Sequence, residues 1–351
     1  MIPNYHWNLE SLEFGIIGII EIMVICFGEI MLRLSPPNNL RMAQARSLDV
    51  QYGGSEANVA VALAQFGAES AYVTRVPDSE VGRASLGELK KYGVDTSLTV
   101  FGGKRLGLYY LEVGAGNRSS KVVYDREGSG MATLQKGMID WHHIFKGATW
   151  FHWSGITPAI SQSAADATLE AIKIANELGI TVSCDLNYRG NLWQYGKKPS
   201  EIMPELLNGC AVMLGDGDTI DTYFDIKGSD YKEVFEKTFQ QFPKLQHIAM
   251  TARRAFHASH NAYKGFLHDG KTLYESREFD VPDIIDRIGA GDAFMGGLIY
   301  CLQKQLPPQY CVDFSAATGA MKHSIHSDFH LATAAEVEHL MQGNTGGKVN
   351  R

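Results

Sequence analysis

The chain has 351 residues, 45% hydrophobic and 20% charged, and a formal net charge of −7. That is an ordinary globular composition, and a negative surface with no Lys/Arg block excludes nucleic acid as a partner. Five cysteines, Cys26, Cys184, Cys210, Cys301 and Cys311, form no CxxC pair, which reads as reduced thiols in a cytoplasmic protein.

The apolar stretch "FGIIGIIEIMVICFG" is preceded by Glu10 and Glu13 instead of a basic region and is interrupted by Glu21. Neither a signal peptide nor a membrane span is expected from it. Residues 1–22 read as an extension outside the fold, residues 23–342 as the folded domain and residues 343–351 as a polar, frayed tail. From Met23, "MVICFGEIML" reads as the opening buried strand. "GGSEANVAVALAQFG" has helical spacing and a Gly stop. "ESAYVTRVP" then reads as a strand and "EVGRASLGELKKYG" as a helix. "ATWFHWSG" and "SQSAADATLEAIKIANELG" form a further strand–helix pair, followed by short strands in "ITVSCDLN", "CAVMLGD" and "HIAMTA". This alternation predicts an α/β fold with a mostly parallel sheet covered on both faces. Two stretches break the rhythm: one near 33–52 lacks helical period, and one near 100–130 reads as two strands around a Gly-rich turn, which predicts a small β-lid over a site beyond the carboxyl ends of the main strands.

The motif that carries chemistry is "DRIGAGDAFMGG", Asp286 to Gly297. Gly289, Ala290 and Gly291 allow close approach of a ligand to the first amides of a helix, and a helix N-terminus favours phosphate. Asp292 sits where an anion would be held. A carboxylate there has a use if it accepts the proton of a hydroxyl attacking phosphorus. The plain alternative is that Asp292 caps the helix. No GxxxxGK[ST] loop is present, and the GxG lies too late in the chain for a dinucleotide-binding turn.

With "DRIGAGDAF" near the end and "GGSEANVAVALAQFGAESAYVTRVPDSEVG" near the start, the chain resembles the ribokinase-like (PfkB) carbohydrate kinases over residues 24–337. The resemblance implies a three-layer α/β/α domain with a β-sheet lid, ATP as donor and Mg²⁺ as helper. It implies Asp292 as the base and the amides of Gly289, Ala290 and Gly291 as an anion hole. Within the family, "FGEIMLRLSPP", "FHWSGITPAIS" and "VSCDLNYRGNLW" are similar to the 2-keto-3-deoxygluconate kinases. That likeness implies a sugar-acid substrate phosphorylated at C6. Its acid end would be met by Arg126 and Arg189, whose planar forks suit a carboxylate. It further implies Tyr109 and Tyr124 as lid residues over the sugar, Gly53, Gly54 and Asn58 at the sugar hydroxyls, and Asp185 and Asn187 as further substrate-binding residues. Thr251 and Arg253 are expected at the nucleotide, and Asp216 at the metal. Asp286 matches an acid often linked to a monovalent-cation site, such as one for K⁺. Each has a bland reading too: arginines as surface ion-pair partners, tyrosines as flap packing, Asp185 and Asn187 as turn residues.

The chain departs from its look-alikes in "GDGDTID", where the relatives carry a GNEED segment, which leaves metal use open. His323, His326 and His330 are spaced like ligands, but no thiol or HExxH accompanies them. A homo-oligomer is expected, paired through the back of the lid, and no membrane partner. Two alternatives stand beside the sugar-acid kinase: a kinase of a neutral sugar such as fructose, and a sugar-acid sensor without catalysis.

Overall fold

The structure, a computed structural model, describes residues 23–343. The expectations placed on residues 1–22 and beyond 343 lie outside the described residues. In chain order the strands are β1 (Met23–Phe27), β2 (Met31–Ser35), β3 (Asp49–Gly53), β4 (Glu69–Val73), β5 (Arg75–Val76), β6 (Val100–Phe101), β7 (Gly107–Glu112) and β8 (Lys121–Asp125). They continue with β9 (Ala148–Ser154), β10 (Thr181–Asp185), β11 (Val212–Leu214), β12 (His247–His257), β13 (His260–His268), β14 (Leu273–Glu275) and β15 (Phe279–Val281). The helices are α1 (Ser55–Gln65), α2 (Glu80–Lys91), α3 (Trp141–Ile144), α4 (Ile156–Ile160), α5 (Gln162–Glu177) and α6 (Pro199–Leu207). After them come α7 (Gly217–Phe224), α8 (Tyr231–Gln241), α9 (Ala290–Gln303), α10 (Pro308–Lys322) and α11 (Ala334–Met341).

The main sheet runs β14-β13-β12-β11-β10-β9-β1-β4, with β15 on β13. It is parallel from β4 to β12 and antiparallel beyond. Side chains alternate across a strand, and here both faces are buried. Val24 and Cys26 join one core with α1, α9 and α10, whereas Ile25 and Phe27 join a second with α5, α6 and α8. This two-sided burial is why the strands are almost continuously apolar. Local signals set the helix ends. Ser79 and Ser161 cap α2 and α5 by accepting Gly82 and Ala164 amides. Gly93, with φ of 88°, ends the turn after α2.

The four-stranded second sheet, β3-β2-β7-β8, is the lid. It corrects one expectation. "MVICFGEIML" is not a single strand but two, β1 in the core sheet and β2 in the lid, broken at Gly28–Ile30. A second correction concerns "HIAMTA", read as a short strand: it opens β12, which runs on to His257. β12 forms a long antiparallel hairpin with β13, because cross-strand pairing extends past the short apolar run.

Candidate active site

A cavity of about 580 Å³ opens between the lid and the carboxyl ends of β10, β11 and β12. Its wall takes in Tyr109, Tyr124 and Arg126 on the lid side and Asp185, Asn187, Arg189, Asp216, Thr251 and Arg253 on the sheet side. Its floor is Gly54, Ser55, Asn58 and the turn Gly289, Ala290, Gly291, Asp292. A volume of this order suits a nucleotide or sugar ligand.

Helix α9 is capped by Gly289, with no side-chain cap bond, so Asp292 does not serve as its N-cap. Its carboxylate is instead held from α1 and opens into the cavity. The Ser55 hydroxyl donates to Oδ1 at 2.7 Å, and the Asn58 amide donates to Oδ2 at 2.7 Å. Asn187, at a φ of 37°, donates in turn to Ser55 at 3.0 Å. The α1–α9 approach that permits this comes from Gly296, where an added Cβ would lie 2.8 Å from Ala62 Cβ. Burial raises the Asp292 carboxyl above the ordinary range, while the Asn58 and Ser55 bonds pull the other way. Asp185 is raised to about 7, by burial first and by the charge of Asp292 second. A carboxylate so placed can accept a proton from an alcohol.

Glycine is required at Gly289 twice over: φ is 83°, and a Cβ would run into the Asp328 carbonyl. At Gly291 a Cβ would meet nothing within 4 Å, so that space belongs to the cavity.

Several expected site residues have other partners. Gly53 does not line the cavity; it is buried, and a Cβ there would strike the Asp328 carboxylate. Asp286 is also outside the cavity: Arg33 Nη2 donates to its Oδ2 at 2.6 Å and the Ile288 amide to its Oδ1 at 3.0 Å. Asn58 gives its amide to Asp292 rather than leaving it free for a sugar. Tyr109 donates its hydroxyl to Asp328. Arg126 is neither a surface residue nor free, for it is buried and donates through Nε, at 2.8 Å, and Nη2 to Glu29. Arg189, Arg253 and Arg287, by contrast, form no ion pair among the described residues. Arg189 rests on the Tyr188 carbonyl at 3.0 Å and Arg287 on the Ala258 carbonyl. Tyr124, more than one third exposed, lies at the lid edge with Arg126 over its ring.

Ser55, Glu29, Arg33, Arg287 and Asp328 escape sequence reasoning. Ser55 lies inside the "GGSEAN" stretch, and Arg33 is a charge at an inward-facing position of a strand, which is a signal in itself. Glu56 is a further buried acid. Burial lifts its carboxyl to about 7, although Oε1 accepts from the Ser154 amide at 3.0 Å and the Ser154 hydroxyl at 2.7 Å.

The residues present suit a magnesium nucleotide, although no three His, Cys, Asp or Glu side chains among the described residues converge on a metal position. Mg²⁺ keeps most of its waters and needs few carboxylates. Asp216 borders the cavity with one oxygen engaged, accepting the Thr219 amide at 2.8 Å as the cap of α7.

A parallel sheet with a held carboxylate and a glycine turn at its carboxyl edge, under a four-stranded lid, is the ribokinase-like α/β architecture. The chain matches the profile of the pfkB family carbohydrate kinases over residues 21–328 and belongs to that family. It is similar to a 2-dehydro-3-deoxygalactonokinase of Haloferax volcanii, 32% identical over 92% of this chain and 98% of the relative. A crystal structure of 2-dehydro-3-deoxygluconokinase from Thermotoga maritima superposes with a TM-score of 0.88 at 37% identity, covering 92% of this chain and 100% of that one. A fructokinase with bound ATP from Xylella fastidiosa shares the fold with a TM-score of 0.76 at 23% identity, covering 93% of this chain and 99% of that one.

Proposed function

We propose that the protein is an ATP-dependent sugar-acid kinase that phosphorylates the C6 hydroxyl of 2-keto-3-deoxygluconate, the activity EC 2.7.1.45. The observation that carries this reading is the uncapped Asp292 carboxylate, held at 2.7 Å by both Ser55 and Asn58 and facing the cavity beside the glycine turn.

In this reading Asp292 accepts the proton of the C6 hydroxyl as its oxygen bonds to phosphorus. The O–P bond to the leaving ADP breaks as the new one forms, and no other atoms change partners. The amides after Gly289 and the unpaired Arg253 and Arg287 meet the phosphate charge. Mg²⁺, held by Asp216 through water, would supply further neutralisation there. Arg189, with no carboxylate of its own, binds the acid end of the sugar. Arg126, already countered by Glu29, offers the sugar a hydrogen-bonding edge rather than a net charge. Tyr124 closes over the ring and limits access of water.

The relatives from Haloferax volcanii and Thermotoga maritima are named for two keto-deoxy sugar acids, which supports an acid over a neutral sugar. The test is ADP release over a panel of 2-keto-3-deoxygluconate, 2-keto-3-deoxygalactonate and fructose, run beside Asp292→Asn. A keto-acid is expected as the preferred acceptor, with kcat of the variant down by about 10²–10⁴. Preference for fructose, or full activity in the variant, would sink the proposal. Binding of the keto-acid without ADP release would favour a sensor.

A further inference from the structure

We propose that Arg33 is a positioning residue: a cation built into the lid that fixes the glycine turn and makes a bound monovalent cation unnecessary for turnover. It lies on lid strand β2 with 0% exposure and reaches across to the C-terminal part of the chain. Its Nη1 donates to Asp328 Oδ1 and its Nη2 to Asp286 Oδ2, each at 2.6 Å, and its Nε donates to Ser35 Oγ at 3.0 Å. Both acids' residues touch the turn. Asp286 accepts the Ile288 amide just ahead of Gly289, and the Asp328 carbonyl abuts Gly289 itself. Tyr109, which lines the cavity, donates its hydroxyl to Asp328. One guanidinium therefore joins the lid, the turn and the cavity wall.

Charge balance leads to the same place. Two buried carboxylates this close repel one another and have lost their water, so a cation between them favours their charged forms. Arg33 is one. Lys322, also 0% exposed, adds a second basic group near them: its Nζ donates to the Ile325 carbonyl at 3.0 Å, and burial lowers its proton affinity while the charges of Asp286 and Asp328 oppose that. Both oxygens of Asp286 are already engaged, Oδ2 by the Arg33 guanidinium and Oδ1 by the Ile288 amide. The charge that an added ion would neutralise at Asp286 is met by Arg33.

This inference rests on phosphoryl transfer at Asp292 but not on which sugar accepts it. The experiment uses the full chain in matched chloride salts of K⁺, Na⁺ and tetramethylammonium. ADP release is followed with the preferred acceptor, and ADP affinity is measured by calorimetry without sugar. Wild-type rates and ADP affinities should agree within about twofold across the three salts. Arg33→Ala should lose at least about tenfold in kcat and recover part of it with sub-denaturing guanidinium, a rescue that loss of packing alone would not show. Arg33→Lys should keep salt indifference with a smaller loss. If Arg33→Ala does not fold, the lysine variant and the wild-type salt series still decide. Activation of the wild type by K⁺ over tetramethylammonium, in rate or in ADP affinity, overturns the proposal. So does a folded Arg33→Ala with unchanged kcat. Absence of turnover with every sugar would count against the kinase reading alone, since the calorimetric arm does not depend on it.

Discussion

Asp292 and the glycines before it do different work. Gly289 is fixed by its positive φ and by the Asp328 carbonyl, so Gly289→Ala is expected to cost about 1–3 kcal/mol or more of stability. Gly291 meets no protein atom within 4 Å of an added Cβ, so Gly291→Ala should fold normally, with its thermal midpoint close to wild type. The new methyl would occupy cavity space beside the anion-binding amides. A fall of at least about tenfold in kcat/KM for ATP is therefore expected, with the midpoint measured in parallel. An unchanged kcat/KM would remove the turn from the phosphate site.

Among the elements, the lid has two unlike faces. Inward, Tyr109 packs with Met31 and Leu111. Outward, Leu34 pairs with Val50 on one side and Tyr110 on the other, and Tyr110 pairs with Val123. This forms one apolar row across all four strands, with Val50 and Val123 each 61% exposed. Such a row gains from being covered, and the expected homo-oligomer would cover it with a second copy. Light scattering should give at least a dimer, and Val50→Lys with Val123→Lys should give a monomer. A wild-type monomer would show that the row stays in water.

At the scale of the whole molecule, buried titratable groups set the response to pH. Burial lowers His152, His323 and His330 to about 3, 4 and 3, so the folded state refuses protons that the unfolded state takes near pH 6.5. Glu56 and Asp185, raised to about 7, do the opposite: their contribution is full below the ordinary carboxylate range and is lost as pH rises through 7. His247 and His268 side with the histidines and Asp292, Asp313 and Asp328 with the acids, so the two sets oppose each other and the test is a single-group variant compared with wild type. Glu56→Gln removes one opposing group. Between pH 4 and 8 the variant should gain up to about 3 kcal/mol relative to wild type. A parallel shift at all pH values would show that Glu56 titrates normally.

The sequence by itself determined the alternation of strands and helices, the presence of a strand-built lid and the glycine–aspartate turn. These follow from periodicity and turn chemistry that act over a few residues. Partner choice was decided only by tertiary structure. Asp292 is held by Ser55 and Asn58, 237 and 234 residues away in the chain, and Arg33 claims Asp286 from 253 residues away. Arg126 carries the expected residue type at the expected place, yet Glu29 has already countered its charge. Charge, proton affinity and freedom to bind depend on what the fold brings within a few ångströms and how much water it removes, and neither quantity is local in sequence.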